Sequence, residues 1–175
     1  MVSTVETNPD DFDDFEGLHA LLTDAYAPMA GRIDPPSFLT RMSVADVAMK
    51  ARDEDLFLLR DAGRPVACMF GHGDGRAYEV GKVAVAASHR CQGLARSMME
   101  VAARLGQQRG CRVLRLFARV ELTENHVTYR RLGFEITGPF THPGFHRPTA
   151  YILERTLQHP FPRPGRLVKT TGKGD

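Results

Sequence analysis

The sequence lacks any long apolar segment. No uninterrupted run of about eighteen apolar residues occurs among its 175 residues, whereas a transmembrane helix needs about 20. Residues 1–17 are acidic and contain no apolar core of the kind that a secretory signal has. We therefore expect a soluble, cytoplasmic protein with no secretory signal and no membrane partner.

Cysteine is scarce as well. The three cysteines, Cys68, Cys91 and Cys111, are odd in number and show no CxxC spacing. This count does not complete a disulfide framework, and the spacing is not that of a zinc site. We expect three reduced thiols and no bound metal.

The composition is otherwise that of an ordinary globular protein. Hydrophobic residues make up 42% of the chain and charged residues 25%, and no internal repeat is visible. A length of 175 residues suits one domain. We predict a single domain over residues 1–157 and a flexible basic tail over residues 158–175.

Charge is unevenly distributed although the net charge is only +2. Residues 1–16 hold acids and no Lys or Arg, the acids being Glu6, Asp10, Asp11, Asp13, Asp14 and Glu16. Residues 88–132 hold nine arginines against three glutamates. The arginines indicate either an anionic ligand near the middle of the chain or a solvated charged surface. A nucleic-acid surface is a third interpretation, which we do not favour.

The apolar periodicity predicts a mixed α/β fold. Helical spacing occurs from Phe15 to Tyr26, with Asp13 or Asp14 as the cap, and more loosely in a single segment after Pro35 and Pro36. Three short apolar runs then predict an antiparallel meander over residues 56–59, 66–70 and 77–85. A strong helix from Leu94 follows, then a strand over 113–118 that we expect to be parallel to its predecessor, a short helix over 124–132, and strands over 134–136 and 150–154.

The junction between the third strand and the strong helix carries the chemistry. Val83–Val85 ends a buried strand, and a short loop containing Gly93 leads into the helix. The first turn of a helix leaves N–H groups unpaired and carries partial positive charge, so this loop predicts a phosphate or pyrophosphate site. Arg90 and Arg96 add positive charge, but neither GxxxxGK[ST] nor GxGxxG is present.

Two segments resemble the GNAT family of N-acetyltransferases. Arg90-Cys91-Gln92-Gly93-Leu94-Ala95 matches that family's pyrophosphate loop, [Q/R]-x-x-G-x-[G/A]. Asn125 to Phe134, which includes Tyr129-Arg130-Arg131-Leu132-Gly133-Phe134, is similar to its N-x(n)-Y-x-x-L-G-F segment. The resemblance covers roughly residues 15–155 and implies the acyl-CoA N-acyltransferase fold, a mixed central sheet flanked by helices.

The resemblance also implies an activity and its residues. A GNAT protein transfers an acetyl group directly from acetyl-CoA to a primary amine, without a metal. The implied cofactor-binding residues are Val83, Ala84 and Val85 on the strand, Arg90, Cys91, Gln92, Gly93, Leu94, Ala95 and Arg96 in the loop and helix, and Asn125. Tyr129 is implied as the general acid that protonates the departing CoA sulfur.

The general base is not given by the motifs. Strand alternation places Glu79 on the same face as Val83 and Val85, so we predict Glu79 as the base. A bulge in this strand would reverse the direction of the side chains, and Tyr78 or Lys82 would then replace Glu79 as the base.

The acceptor remains open at this stage. Amino acids, polyamines, aminoglycosides, small toxins and protein amines are all compatible, and the acidic N-terminus would favour a cationic amine. The loop over residues 142–148, with His142 and His146, either lines the acceptor site or is structural. A non-catalytic acyl-CoA-binding or regulatory domain of the same fold is the alternative function, and the sequence leaves the oligomeric state open, a homodimer included.

Overall fold

A computed structural model describes residues 1–2 and 4–163. Residues 164–175 of the predicted basic tail lie outside the described residues. The helices are α1 (Phe15–Tyr26), α2 (Val44–Asp53), α3 (Leu94–Gln108) and α4 (Thr123–Arg131). The strands are β1 (Glu6–Thr7), β2 (Asp55–Asp61), β3 (Arg64–Gly73), β4 (Ala77–Val85), β5 (Val113–Arg119), β6 (Glu135–Phe140) and β7 (Ala150–Thr156).

The strands form one mixed sheet in the order β1-β2-β3-β4-β5-β7-β6. The β2–β3–β4 meander is antiparallel, and β4 pairs with β5 in parallel, as the sequence predicts. The short edge strand β1 and the insertion of β7 between β5 and β6 were not predicted. The mixed α/β fold class is confirmed.

The helix starts follow from their caps. Asp14 caps α1 by accepting a hydrogen bond from the Gly17 N–H at 2.8 Å, as predicted. The single helix predicted after Pro35 and Pro36 is wrong. A 3₁₀ turn over Phe38–Arg41 comes first, and α2 begins only after Ser43, which forms a capping box with Asp46.

The turn of the first hairpin is shorter than the sequence pattern alone requires. Ala62 (φ 48°) and Gly63 (φ 80°) form a two-residue turn between β2 and β3. Two consecutive positive φ angles match the twist of antiparallel strands. The second turn lies over residues 74–76, because β3 continues through Gly71–Gly73, beyond the predicted end of its apolar run at residue 70.

The sheet carries a separate apolar core on each face. One core packs α1 and α2 against side chains such as Leu58, Cys68 and Phe70. The other packs α3 against Met69, Tyr78 and Leu114. None of the helices in the described part of the chain has the length and apolar character that crossing a membrane requires.

Tyr78 is a buried residue of the second core, and its hydroxyl is hydrogen-bonded there. Its ring lies so close to two glycines that a Cβ on Gly71 would come within 2.7 Å of it, and one on Gly106 within 2.9 Å of the Tyr78 Cβ. Its hydroxyl donates to the buried Asp55 carboxylate at 2.6 Å, which also accepts from Arg109 at 2.9 Å. Burial works to raise the pKa of Asp55, but the hydrogen bonds from Arg109 and Tyr78 outweigh it and hold the pKa below its usual range.

Replacing Asp55 with Asn is expected to lower the free energy of unfolding by about 2 kcal/mol at neutral pH, since Arg109 and Tyr78 lose a charged acceptor. The folded-state pKa of Asp55 lies below the unfolded value of about 3.9, so its stabilisation is complete above that value and is lost as the pH falls through the folded pKa. Urea unfolding from pH 7 to pH 2 measures both effects. Asp53→Asn, at an exposed position, is the control, and a pH-independent difference would contradict the prediction.

Candidate active site

β4 and β5 separate halfway along their length. They pair only at Ala77–Glu79 with Val113–Arg115, and beyond Glu79 the remaining part of β4 has no partner on that side among the described residues. Such a gap leaves backbone N–H and C=O groups without a strand to bond. The two strands therefore leave an opening between them along the second half of β4.

A bulge in β4 reverses the direction of its side chains. Gly81 pairs with Phe70 and Ala84 pairs with Cys68, so two residues of β4 lie opposite the single residue between these partners. Lys82, at the bulge, has a positive φ of 51°. The expectation that Glu79 shares a face with Val83 and Val85 is wrong, since Glu79 and Ala84 face α1 and α2 whereas the two valines pack on the α3 core.

The bulge also decides which backbone groups point into the gap. The Ala86 N–H donates to the Val66 carbonyl at 2.8 Å, and Ala84 pairs with Cys68 on β3. Because alternate residues of a strand bond opposite neighbours, Val83 and Val85 point their backbone groups into the gap. Ala84 is turned toward β3, so its own backbone is not available there.

The loop before α3 presents a row of free backbone donors. Within the described chain, the N–H groups of the seven residues Arg90 to Arg96 have no protein acceptor, and the first bond of the helix runs from the Ser97 N–H to the Gly93 carbonyl at 3.0 Å. Gly93 (φ 77°) and Cys91 (φ 61°) adopt the left-handed conformation that turns the loop. This row is an anion-binding geometry.

The two arginines beside the loop differ in availability. Arg96 donates to Glu100 at 2.8 Å and lies over the Phe161 ring, so its guanidinium is engaged. Arg90 is exposed and makes only a long contact, 3.5 Å, with the Val85 carbonyl. Arg90 therefore has the freer guanidinium for an anion held by the loop.

Tyr129 lies where α4 meets the α3 core. Its ring packs edge-on against Phe134 at 5.9 Å, and no hydrogen bond from its hydroxyl occurs among the described residues. Burial raises the pKa of Tyr129 to about 12, which keeps the phenol protonated. Asn125, on the first turn of α4, is half-buried.

A second phenol approaches Tyr129 from the opposite side of the sheet. Tyr26 ends α1, and burial, then the nearby Tyr129 and then Cys68, raise the pKa of Tyr26 above its ordinary value. Tyr26 packs against the α1 core and Tyr129 against the α3 core, so the two phenols lie on opposite faces of the sheet. The helical pattern of α1 marked Tyr26 only as an apolar position.

A cavity of about 710 Å³ opens on the α1 side of this gap. It lies between β4, β5, the α1–α2 connection and the β6–β7 loop. Its aromatic side chains are Tyr26, Phe38, Phe117, Phe140 and Phe145. This volume is within the range of small-molecule sites, roughly 300–1,000 Å³.

Glu79 lines this cavity, although it does not share a face with Val83 and Val85 as predicted. Burial raises the pKa of Glu79, and the nearby His72 and Arg115 partly offset this. The alternative base Tyr78 is buried and bonded to Asp55, so it is not available. Lys82 lines the same cavity, and burial, together with Lys50, lowers its pKa.

The loop with the two histidines contributes to the cavity as well. His142 lies in the wall of the cavity. Its Nδ1 is hydrogen-bonded to Thr149 Oγ1 at 2.6 Å, and its Nε2 lies 3.3 Å from the Arg119 Nη1. Burial, and then Arg119, lower the pKa of His142. His146 is exposed, and over residues 1–2 and 4–163 no group of three or more His, Cys, Asp or Glu side chains is arranged to hold a metal.

The arginines of residues 88–132 do not form one surface. Arg96 pairs with Glu100, Arg109 with Asp55, and Arg115 with Glu154. These ion pairs distribute the positive charge through the fold. These three arginines are therefore engaged within the fold, and the absence of a nucleic-acid partner stays a prediction.

Two separated parallel strands, followed by a loop of free N–H groups at a helix start, define an acyl-CoA N-acyltransferase fold. The family model "Acetyltransferase (GNAT) domain" matches residues 52–136. That segment holds the meander, the loop, α3, β5 and α4. The predicted membership of the GNAT family is therefore confirmed.

Solved structures resemble this chain at low identity. The PaiA N-acetyltransferase from Thermoplasma acidophilum, in complex with coenzyme A, has a TM-score of 0.70 and 12% identity, over 88% of this chain and 99% of that chain. A GNAT family acetyltransferase from Elizabethkingia anophelis with acetyl-CoA bound has a TM-score of 0.62 and 15% identity, over 89% and 97%. The ribosomal-protein-S18-alanine N-acetyltransferase from Escherichia coli has a TM-score of 0.59 and 18% identity, over 90% and 94%. No curated protein matches significantly.

Proposed function

We propose that this protein is an N-acetyltransferase that moves an acetyl group from acetyl-CoA to a primary amine. The observation that carries the proposal is the row of free N–H groups from Arg90 to Arg96, which opens beside the gap between β4 and β5. Two similar structures, at low identity, contain coenzyme A or acetyl-CoA. The fold and the loop together suit a ligand with a pyrophosphate and a long arm.

The cofactor is assigned to the loop and the gap. The pyrophosphate accepts hydrogen bonds from the N–H groups of Gln92 to Arg96, and Arg90 adds charge. The pantetheine arm bonds the backbone of Val83 and Val85, as an added strand would. Asn125, at the start of α4, is a further cofactor contact in this proposal. The acetyl group then lies where Tyr129 and the cavity meet.

Proton transfer explains the polar groups around that point. A primary amine has a pKa near 10.4, so it must lose a proton before it attacks the thioester. Glu79 accepts this proton, directly or through water, and its raised pKa makes it a stronger base than an ordinary carboxylate. The amine nitrogen then forms the C–N bond to the acetyl carbon.

The leaving group completes the reaction. As the C–S bond breaks, the CoA sulfur, with a thiol pKa near 8.5, takes a proton from Tyr129. A backbone N–H in the unpaired part of β4 stabilises the negative charge on the acetyl oxygen. No enzyme nucleophile is needed for this direct transfer. The alternative function, a non-catalytic acyl-CoA-binding domain, requires no proton donor at Tyr129.

Replacing Ala95 with Glu is expected to abolish acetyl-CoA binding, because the carboxylate repels the pyrophosphate at the free N–H groups. Calorimetric titration of the parent and the variant measures this. Gln108→Glu is the matched control, because it adds the same charge about 20 Å away at the exposed end of α3. A folded parent that does not bind acetyl-CoA would contradict the proposed function.

Replacing Tyr129 with Phe is expected to lower kcat about a hundredfold, the low end for general acid catalysis, because a thiolate leaves readily. The Kd for acetyl-CoA should be unchanged. Thiol release measures kcat, and calorimetry measures Kd. Tyr151→Phe removes a hydroxyl from β7 and is the control. Equal kcat in parent and Tyr129→Phe would assign the proton to another donor, whereas no turnover in any form would favour the non-catalytic alternative.

Replacing Glu79 with Gln is expected to remove the acidic limb of the kcat/KM profile. Glu79 acts when deprotonated and its pKa is raised, so activity in the parent should rise with pH at a value above the ordinary 4.3 or so of a glutamate. Initial rates between pH 4 and pH 9 measure the profile. Glu135→Gln, at an exposed position on β6, should retain the limb. A limb that persists in Glu79→Gln would place the base elsewhere.

A further inference from the structure

The cavity beside Glu79 has unbalanced charge. Of its cationic side chains, Arg119 has a counter-charge in Glu121, whose Oε2 lies 4.0 Å from the Arg119 Nε. Arg41 and Lys82 form no ion pair with any residue that the structure describes. Among the residues that the structure describes, Glu79 is the one acid in the wall, and it serves as the base under the proposed function. Two cations therefore remain for a ligand.

Lys82 is costly to leave without a partner. It is half-buried at the β4 bulge, where the neighbouring Lys50 adds repulsion that Glu54 only partly offsets. A carboxylate stabilises an ammonium group that has been withdrawn from water. Arg41 lies over the Phe38 ring at 5.5 Å and is an exposed residue.

The rest of the wall is aromatic. Phe38 and Phe117 are 64% and 39% exposed, the only aromatic side chains among the large apolar ones exposed in the described chain, and both lie in this cavity. Phe117 contacts Phe140 edge-on at 5.0 Å. Exposed aromatic rings grouped around a cavity indicate an apolar ligand surface.

The acidic N-terminus does not supply the opposite charge. Glu6 and Asp11 pair with Arg60 on β2, and Asp14 caps the start of α1. Tyr26, which lines the cavity, lies at the other end of this helix. The helix has 12 residues, so its two ends are about 18 Å apart. None of these three acids lies in the cavity wall, so they do not argue for a cationic acceptor there.

We propose that the acceptor is a small primary amine that carries a carboxylate and an aromatic body, as an aromatic amino acid does. The carboxylate pairs with Lys82 and Arg41, the ring packs on Phe38 and Phe117, and the amine faces Glu79. Polyamines and aminoglycosides would add positive charge to a wall that already holds two unpaired cations. This inference rests on the proposed function.

The experiment compares matched amines with acetyl-CoA and the full chain. Phenylalanine carries the carboxylate, phenethylamine lacks it, and spermidine has several positive charges and no ring. The expected kcat/KM is at least about tenfold higher for phenylalanine than for either of the others. Lys82→Met and Arg41→Gln should each reduce the phenylalanine-to-phenethylamine ratio, Lys82→Arg should restore it, and the exposed Arg52→Gln should leave it unchanged.

Two readouts separate this inference from the proposed function. Equal or better use of phenethylamine or spermidine would overturn the inference while acetyl transfer itself stands. If acetyl-CoA does not bind, the proposed function fails, and calorimetric titration with phenylalanine alone still tests the cavity. Binding that is lost in Arg41→Gln would support the aromatic carboxylate site, and no binding to the parent would overturn it.

Discussion

The separation of β4 from β5 is the constraint on which the site depends. A buried sheet normally pairs every strand along its length, because unpaired N–H and C=O groups are costly away from water. Here the pairing stops at Glu79 and Arg115, and the bulge at Lys82 turns the rest of β4. The gap leaves the backbone of Val83 and Val85 without a strand to bond on one side.

The bulge also decides which side chains of β4 lie on each face of the sheet. It sends Val83 and Val85 into the α3 core, next to the loop that holds free N–H groups. Glu79 and Lys82 face the cavity on the α1 side. Under the proposed function, one face takes the anionic, extended cofactor and the other takes a small acceptor. A regular strand would place Glu79 and the two valines on the same face.

The local parts of the fold were predictable because they depend on neighbours in sequence. Asp14 caps α1, Gly93 turns the loop into α3, and β5 is parallel to β4 because a helix connects them. The start of α2 was not predicted, since the apolar stripe through Phe38 continues across Ser43 while the capping box there begins a new helix. The hydrogen bonds of Asp55 with Tyr78 and Arg109 join residues more than 20 positions apart, and no local pattern indicates them.

The sequence by itself determined the family, the α/β class and the anion-binding loop, because each depends on a short run of residues whose conformation is set locally by glycine, helix caps and alternation. Only the tertiary structure decided the direction in which the Glu79 side chain points, the charged groups near Lys82 and the residues that surround Tyr129. One extra residue in β4 reverses every side chain beyond it, and the cavity collects side chains from four separate segments of the chain. Residues from such distant segments meet only when the complete sheet and its helices have packed.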